Sequence, residues 1–286
     1  MLTEFSNLQR AEVLTEALPY IKRYTGKVVV VKYGGNAMIN EQLKEQVMQD
    51  IVLLWLIGVK IVLVHGGGPE ISDIMSKLGK KAEFVDGLRV TDKETVDIVQ
   101  MVLAGKVNKT LVNLLEMMGG KAMGISGMDA HLIEAEVKDE RLGFVGRITK
   151  VNVEPITHLL EHEYIPVVST VGCDKKGNVY NINADTVAGA VAAAVQAEKL
   201  ILLTDVEGVK DENGNIVYEA HKDEIHNMID EGVISGGMIP KVLGCLDAID
   251  AGVTGVHIID GRIPHCLLLE IFTKSGIGTL IKSDNY

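Results

Sequence analysis

Five short runs of aliphatic, mostly β-branched residues recur along the chain, alternating with longer stretches of helical periodicity. The runs are 27–33 (KVVVVKY), 59–65 (VKIVLVH), 164–170 (YIPVVST), 198–204 (EKLILLT) and 254–260 (TGVHIID). Continuous rather than alternating apolar character marks strands buried on both faces. Helical patterns fall near 41–57, 69–79, 92–117, 154–162, 185–197 and 237–251. Strand–helix alternation predicts an α/β fold: a three-layer αβα sandwich around a mostly parallel, open central sheet.

Two stretches break the alternation. Residues 131–153 and 177–185 read as antiparallel hairpins on the rim of the sheet, with Asp-Glu or Gly-Asn near their turns. The turn-rich stretch 172–178 (GCDKKGN) suggests a lobe boundary within one continuous sheet. The expected division is therefore a terminal segment 1–25, an N-terminal lobe 26–173 and a C-terminal lobe 174–286. In the terminal segment Leu8, Ala11, Leu14, Leu18 and Ile21 recur at helical spacing, and Pro19 should bend or end that helix.

Charge and length narrow the function classes. At about 150 residues per domain, 286 residues make one large or two small domains. A net charge of −11 speaks against general nucleic-acid binding, which needs a basic surface to displace counterions. Local lysines still allow anionic small ligands. The greasy stretch 51–64 is too short and too charged to span a bilayer, and the first residues carry neither a basic nor an apolar signal region. Cys173, Cys245 and Cys266 are an odd, widely spaced set without a CxxC, which suits a reducing, cytoplasmic compartment.

Candidate chemistry sits where strands end. KYGGN places Lys32, Gly34 and Gly35 after the first run, and HGGGPE places Gly67 and Gly68 after the second, with Pro69 at the start of a helix. Glycines let backbone N–H groups approach a ligand, and a helix N-terminus favours negative charge. One such pair is as compatible with tight turning; two, one with a lysine, favour a shared phosphate or carboxylate crevice. No GxxxxGK[ST], strand-borne GxGxxG or HRD/DFG set is present, so P-loop, dinucleotide and protein-kinase readings are poor. YNINAD sets Asn181, Asn183 and Asp185 before an alanine-rich helix, where Asp185 could simply be its N-cap. SGGMIPK puts Lys241 beside a glycine turn, as an anion ligand or a solvated surface lysine. His158 and His162 have helical metal-ligand spacing without a third ligand nearby, so an exposed face is the plainer explanation.

Together KYGGNAM, HGGGPEI, VDGLRVTD, NINADTVAGAVA, LLTDVEGV and GGMIPKV, in this order, resemble the N-acetyl-L-glutamate kinases of the amino-acid kinase family, from about residue 27 to the C-terminus. The resemblance implies the amino-acid kinase fold. It also implies ATP-dependent phosphorylation of the γ-carboxylate of N-acetyl-L-glutamate, the second step of arginine biosynthesis through acetylated intermediates. An ionised carboxylate needs no general base; it needs alignment and positive charge around the transferring phosphoryl group. The family assigns that task to Lys32 and Lys241, with Asp185 holding both. Backbone donors would come from Gly34, Gly35, Gly67 and Gly68, and Arg89 and Asn181 would bind the amino-acid substrate. ATP would lie against Thr204, Asp205, Gly208, Val209, Lys210, Val233 and Ser235, bringing Mg²⁺ with it rather than using a dedicated protein site.

The terminal segment and the stretch after His265 (LLLEIFTKSGIGT) resemble arginine-inhibited members, which are hexamers built as trimers of dimers. Lys199, His265, Glu270, Gly276 and Gly278 would then form an arginine site; an ordinary packed helix and a closing edge strand are the alternative. Some hexameric relatives bind a PII-type signalling protein. Competing readings are another amino-acid kinase, such as a carbamate kinase, and a non-catalytic arginine or nucleotide sensor.

Overall fold

The computed structural model describes residues 6–38, 40–274 and 276–283. Residues 1–5 of the terminal segment, Ser275 of the C-terminal stretch and residues 284–286 of the expected C-terminal lobe lie outside the described residues.

All five predicted runs form strands: Val28–Tyr33, Lys60–His65, Ile165–Ser169, Lys199–Thr204 and Gly255–Asp260. They belong to an eight-stranded sheet in the order Glu219–His221, Thr279–Lys282, Gly255–Asp260, Lys199–Thr204, Val28–Tyr33, Lys60–His65, Ile165–Ser169, Ala122–Ser126. The last six run parallel. Thr279–Lys282 runs antiparallel to its inner neighbour and parallel to Glu219–His221 at the edge. The Ala122–Ser126 and Glu219–His221 strands escape a hydrophobicity reading: one is glycine-containing and half-exposed, the other is three residues long.

Continuous apolar character has the expected cause. Val29, Val31 and Tyr33 enter one buried cluster and Val30 the opposite one. Ile61 and Leu63 likewise oppose Val62 and Val64, and Ile201 and Leu203 oppose Leu200 and Leu202. Side chains alternate across a strand, so a sheet covered on both faces needs apolar residues at every position. Each fully buried aliphatic side chain contributes about 1.5–3 kcal/mol.

The predicted helices form as Glu41–Leu56, Gly68–Lys77, Glu154–Glu161, Ala184–Ala194 and Met238–Asp250. The pattern at 92–117 divides into Lys93–Gln100, a π-helical turn Met101–Val107 and Asn108–Met117. The helix Lys222–Asp230 was not foreseen. Ile133–Val137 and Gly146–Val151 form the predicted hairpin. The expected hairpin at 177–185 needs correction. Only Val179–Asn181 is a strand there, and it pairs with Val171–Cys173. Asp174 Oδ1 accepts from the N–H groups of Lys176 (2.8 Å) and Asn178 (2.9 Å), which makes 174–178 the turn. The next residues turn into the Ala184–Ala194 helix.

The terminal segment forms two helices, Asn7–Glu16 and Leu18–Tyr24. Pro19 cannot donate to the Thr15 carbonyl, so the first helix stops and the proline occupies the first turn of the second. Asn7–Glu16 starts with a Ser6–Gln9 capping box and buries no residue; Leu8 and Leu14 are more than two-thirds exposed. The second helix docks, with Tyr20 edge-on to Phe272 at 6.4 Å. No helix among the described residues is long and apolar enough to cross a membrane.

Candidate active site

Three predicted catalytic residues meet at the carboxyl edge of the sheet. Lys32, the last residue but one of its strand, lies with Nζ 3.0 Å from Asp185 Oδ1, as an ion pair off the hydrogen-bond line. Lys241, in the first turn of its helix, reaches Asp185 Oδ2 at 3.5 Å. Asp185 is not the N-cap of its helix. That position belongs to Asn183, whose Oδ1 accepts from the N–H groups of Asp185 (2.9 Å) and Thr186 (3.1 Å). Asp185 stands inside the first turn and is free to face the lysines. Burial pushes its pKa up, but the two ammonium groups prevail and hold it below the usual carboxylate range. Gly34 lies close under the lysine: a Cβ there would lie 3.1 Å from Lys32 Nζ and push the ammonium aside by a few tenths of an ångström. Gly35 has φ +70°, and its missing Cβ would sit 3.0 Å from Asp205 Oδ1.

On one side of this pole opens a cavity of about 260 Å³, lined by Lys32, Gly34, Gly35, Gly67, Gly68, Arg89 and Asn181 among others. Gly67 precedes the Gly68–Lys77 helix and packs against the π-helical turn: a Cβ on it would come 2.6 Å from Leu103 Cδ2. Such turns cluster at functional sites. Arg89 is buried and fixed, its Nη2 donating to Gly68 O (3.0 Å) and Ser72 Oγ (2.8 Å). Its guanidinium also lies 4.8 Å from the centroid of the Phe84 ring. Asn181 Nδ2 donates to Thr91 Oγ1 at 3.2 Å. Beneath the glycine turn, His65 Nδ1 donates to Gly66 O (2.9 Å) and Nε2 accepts from Asn108 Nδ2 (3.1 Å). Full burial drops the His65 pKa to about 4, so the ring is neutral.

A second cavity, about 410 Å³, is lined by Asp205, Gly208, Val209, Lys210, Val233 and Ser235, six of the seven residues expected to meet ATP. Thr204 lies beneath it and shapes the loop, its hydroxyl accepting from Val206 N–H at 3.2 Å. Arg262, on the wall of this cavity, was not foreseen.

Four of the five residues assigned to arginine converge elsewhere. Glu270 Oε2 accepts from the N–H groups of Ile277 (2.7 Å) and Gly278 (3.2 Å), and its carboxylate crowds Gly276. Their organiser is His257, which belongs to none of the sequence motifs. Its Nδ1 meets Glu270 Oε1 and its Nε2 meets Lys199 Nζ, both at 2.5 Å. Burial drops the His257 pKa to about 4 and, partly offset by Glu270, that of Lys199 to about 8. A histidine inside a strand buried along its whole length is the signal in the sequence. His265 does not join this cluster. It precedes the Cys266–Phe272 helix with φ +56° and points its Nδ1 at Asp50 Oδ1, 2.7 Å away. His158 and His162 are exposed, and His162 Nδ1 donates to the His158 carbonyl at 2.8 Å.

An open, mostly parallel sheet, glycine turns at its carboxyl edge and a lysine–aspartate–lysine pole between two cavities define a class of α/β proteins that handle phosphorylated ligands. Residues 27–260 match the Amino acid kinase family. The acetylglutamate kinase of Caldicellulosiruptor saccharolyticus is 55% identical, with 96% of this chain and 97% of that one covered. That of Caldicellulosiruptor bescii is 54% identical over the same shares. The N-acetylglutamate synthase of Neisseria gonorrhoeae, solved with coenzyme A and N-acetyl-glutamate, shares the fold at TM-score 0.85 and 24% identity. The match covers 96% of this chain and 64% of that longer one. The chain belongs to the amino acid kinase family, in its acetylglutamate kinase branch.

Proposed function

We propose that this chain transfers the γ-phosphoryl group of MgATP to the γ-carboxylate of N-acetyl-L-glutamate, as a step of arginine biosynthesis. The observation that carries the reading is the convergence of Lys32 and Lys241 on Asp185 between the two cavities. A carboxylate oxygen attacks the γ-phosphorus, the bond to the bridging oxygen breaks, and ADP leaves with the electron pair. No base is needed at neutral pH, so rate depends on alignment and on charge at the phosphoryl group. Lys32 and Lys241 supply that charge, and Asp185 keeps both side chains extended into the gap.

In this reading the smaller cavity takes acetylglutamate. Arg89, already oriented by Gly68 and Ser72, pairs with its α-carboxylate. Asn181 bonds the substrate, and the turns at Gly34–Gly35 and Gly67–Gly68 offer N–H groups to the transferring phosphate. The larger cavity takes the nucleotide, with Mg²⁺ held by phosphates and water. The lobes at 26–173 and 174–286 would carry these two tasks, with Asn181 reaching into the amino-acid cavity from the second lobe.

Regulation is part of the proposal. Lys199, His257, Glu270 and the backbone at Gly276–Gly278 form a polar cluster able to take arginine's carboxylate and cationic groups. His265 would act there only through the helix it precedes. The exposed leucines of Asn7–Glu16 suit a contact with a second copy, and assembly as a trimer of dimers would bury them. A PII-type partner and a cytoplasmic location complete the expectation. ADP release from MgATP with N-acetyl-L-glutamate, with and without millimolar arginine, tests the whole. Turnover suppressed by arginine supports both parts; turnover indifferent to it removes the regulatory part. No turnover, with glutamate, aspartate and carbamate also tried, removes the catalytic one.

A further inference from the structure

The larger cavity holds a cation that the catalytic reading leaves without a task. Arg262 lines it and is clamped at the carboxyl end of the Gly255–Asp260 strand. Nε donates to Asp260 Oδ1 at 2.8 Å, Nη2 to Oδ2 at 2.7 Å, and the Arg262 backbone N–H to Oδ1 at 2.9 Å. Asp260 is buried, and Gly261 N–H donates to Thr204 O at 2.9 Å, stitching this loop to the Thr204–Lys210 loop. A guanidinium has five N–H donors, and the clamp uses two of them. The others remain on a side chain 49% exposed at the cavity wall.

Charge explains why such a group is needed. The same wall carries Asp205 and Glu207, both repelling a polyphosphate. Lys210 stands beside them, but its ammonium is paired with Glu207 at 2.8 Å. Position explains which part of a nucleotide it would meet. The Asp205 carboxylate, which lines the same cavity as Arg262, also reaches the missing Cβ of Gly35, in the turn that follows Lys32. Arg262 thus shares its wall with the residue that touches the turn after Lys32, and Val206, Val233 and Met238 offer apolar wall for the rest of a nucleotide.

The geometry points to Arg262 as a phosphate-binding residue that takes a non-transferred phosphate of the nucleotide, with Asp260 as its positioning partner. The inference rests on the nucleotide reading of this cavity.

Calorimetric titration of the full-length protein with MgADP and with adenosine, alongside ATP saturation kinetics, tests it. Arg262→Ala should weaken MgADP by about ten- to a hundredfold, the range of a charge-assisted hydrogen bond, and leave adenosine affinity unchanged. KM for ATP should rise with it and KM for acetylglutamate should not. Arg262→Lys should recover part of the loss, keeping the charge but not the fork. Asp260→Asn should weaken MgADP less than Arg262→Ala does. Equal MgADP affinity in Arg262→Ala overturns the inference, and so does a parallel loss for adenosine, which would place the arginine on the base or ribose. Unchanged affinity in Asp260→Asn removes the positioning role. If the unsubstituted protein bound adenosine and MgADP not at all, the nucleotide reading itself would fall.

Discussion

Lys32 Nζ stands 3.0 Å from Oδ1 of Asp185, a residue whose other carboxylate oxygen faces Lys241 at 3.5 Å. One anion therefore sets the spacing of two cations across the gap between the cavities. Replacing Asp185 by Asn leaves the ammonium groups facing each other with no charge between them. We expect kcat to fall by about 10²–10³, as when a preorganised transition-state donor is lost, and stability to fall by about 3 kcal/mol. Steady-state kinetics and urea unfolding check both; unchanged kcat would refute the role of the pole.

Arg89 offers a rigid fork where lysine offers a point charge. Arg89→Lys should raise KM for acetylglutamate by about tenfold or more, one lost charge-assisted hydrogen bond being worth about 1.5–3 kcal/mol. KM for ATP should hold. An equal rise for both substrates would place Arg89 outside the amino-acid cavity.

The π-helical turn packs Leu103 into the space a side chain would need at Gly67, 2.6 Å from its missing Cβ. Gly67→Ala should cost about 1–3 kcal/mol through overpacking and weaken acetylglutamate binding. A compensating Leu103→Ala tests the cause: the double variant should regain substrate affinity over Gly67→Ala alone. If it does not, the glycine is needed for its backbone and not for space.

His65 and His257 are both buried and neutral, with pKa values lowered by desolvation from 6.5 to about 4. Between those values the unfolded chain binds more protons than the folded one. Stability should therefore be full above pH 6.5 and decline as pH falls toward 4, by about 1.4 kcal/mol per unit for each ring. Urea midpoints at pH 7.5, 6 and 5 give the slope, and His65→Gln should reduce it. A flat profile would mean that the rings find water or charge partners on folding.

Lys199, lowered to about 8, loses its charge in the mildly alkaline range. If it meets arginine's carboxylate, the inhibition constant for arginine should climb above pH 8, by up to about tenfold per unit. Acetylglutamate turnover without arginine serves as the control at each pH. Inhibition that stays constant from pH 7 to 9.5 would put the carboxylate elsewhere.

The sheet was legible because its strands are buried on both faces, which leaves an unbroken apolar run for each, and because glycines announce where strands end. Lys32, Gly34, Gly35, Gly67 and Gly68 could be placed from that alone. The N-cap at Asn183 and the hairpin closed by Asp174 could not, since neighbouring Asn and Asp residues compete for the same local hydrogen bonds and packing chooses among them. The clamp of Asp260 on Arg262 is close in sequence, yet only the stacking of the Thr204 and Asp260 strand ends turns it toward a cavity. His257 shows the same limit: its strand reads as mostly apolar, and its partners Lys199 and Glu270 lie 58 and 13 residues away, on a neighbouring strand and a covering helix. Periodicity and turn chemistry are local and survive in one dimension. Which distant charges share a carboxylate is settled only when the sheet order brings their strand ends side by side.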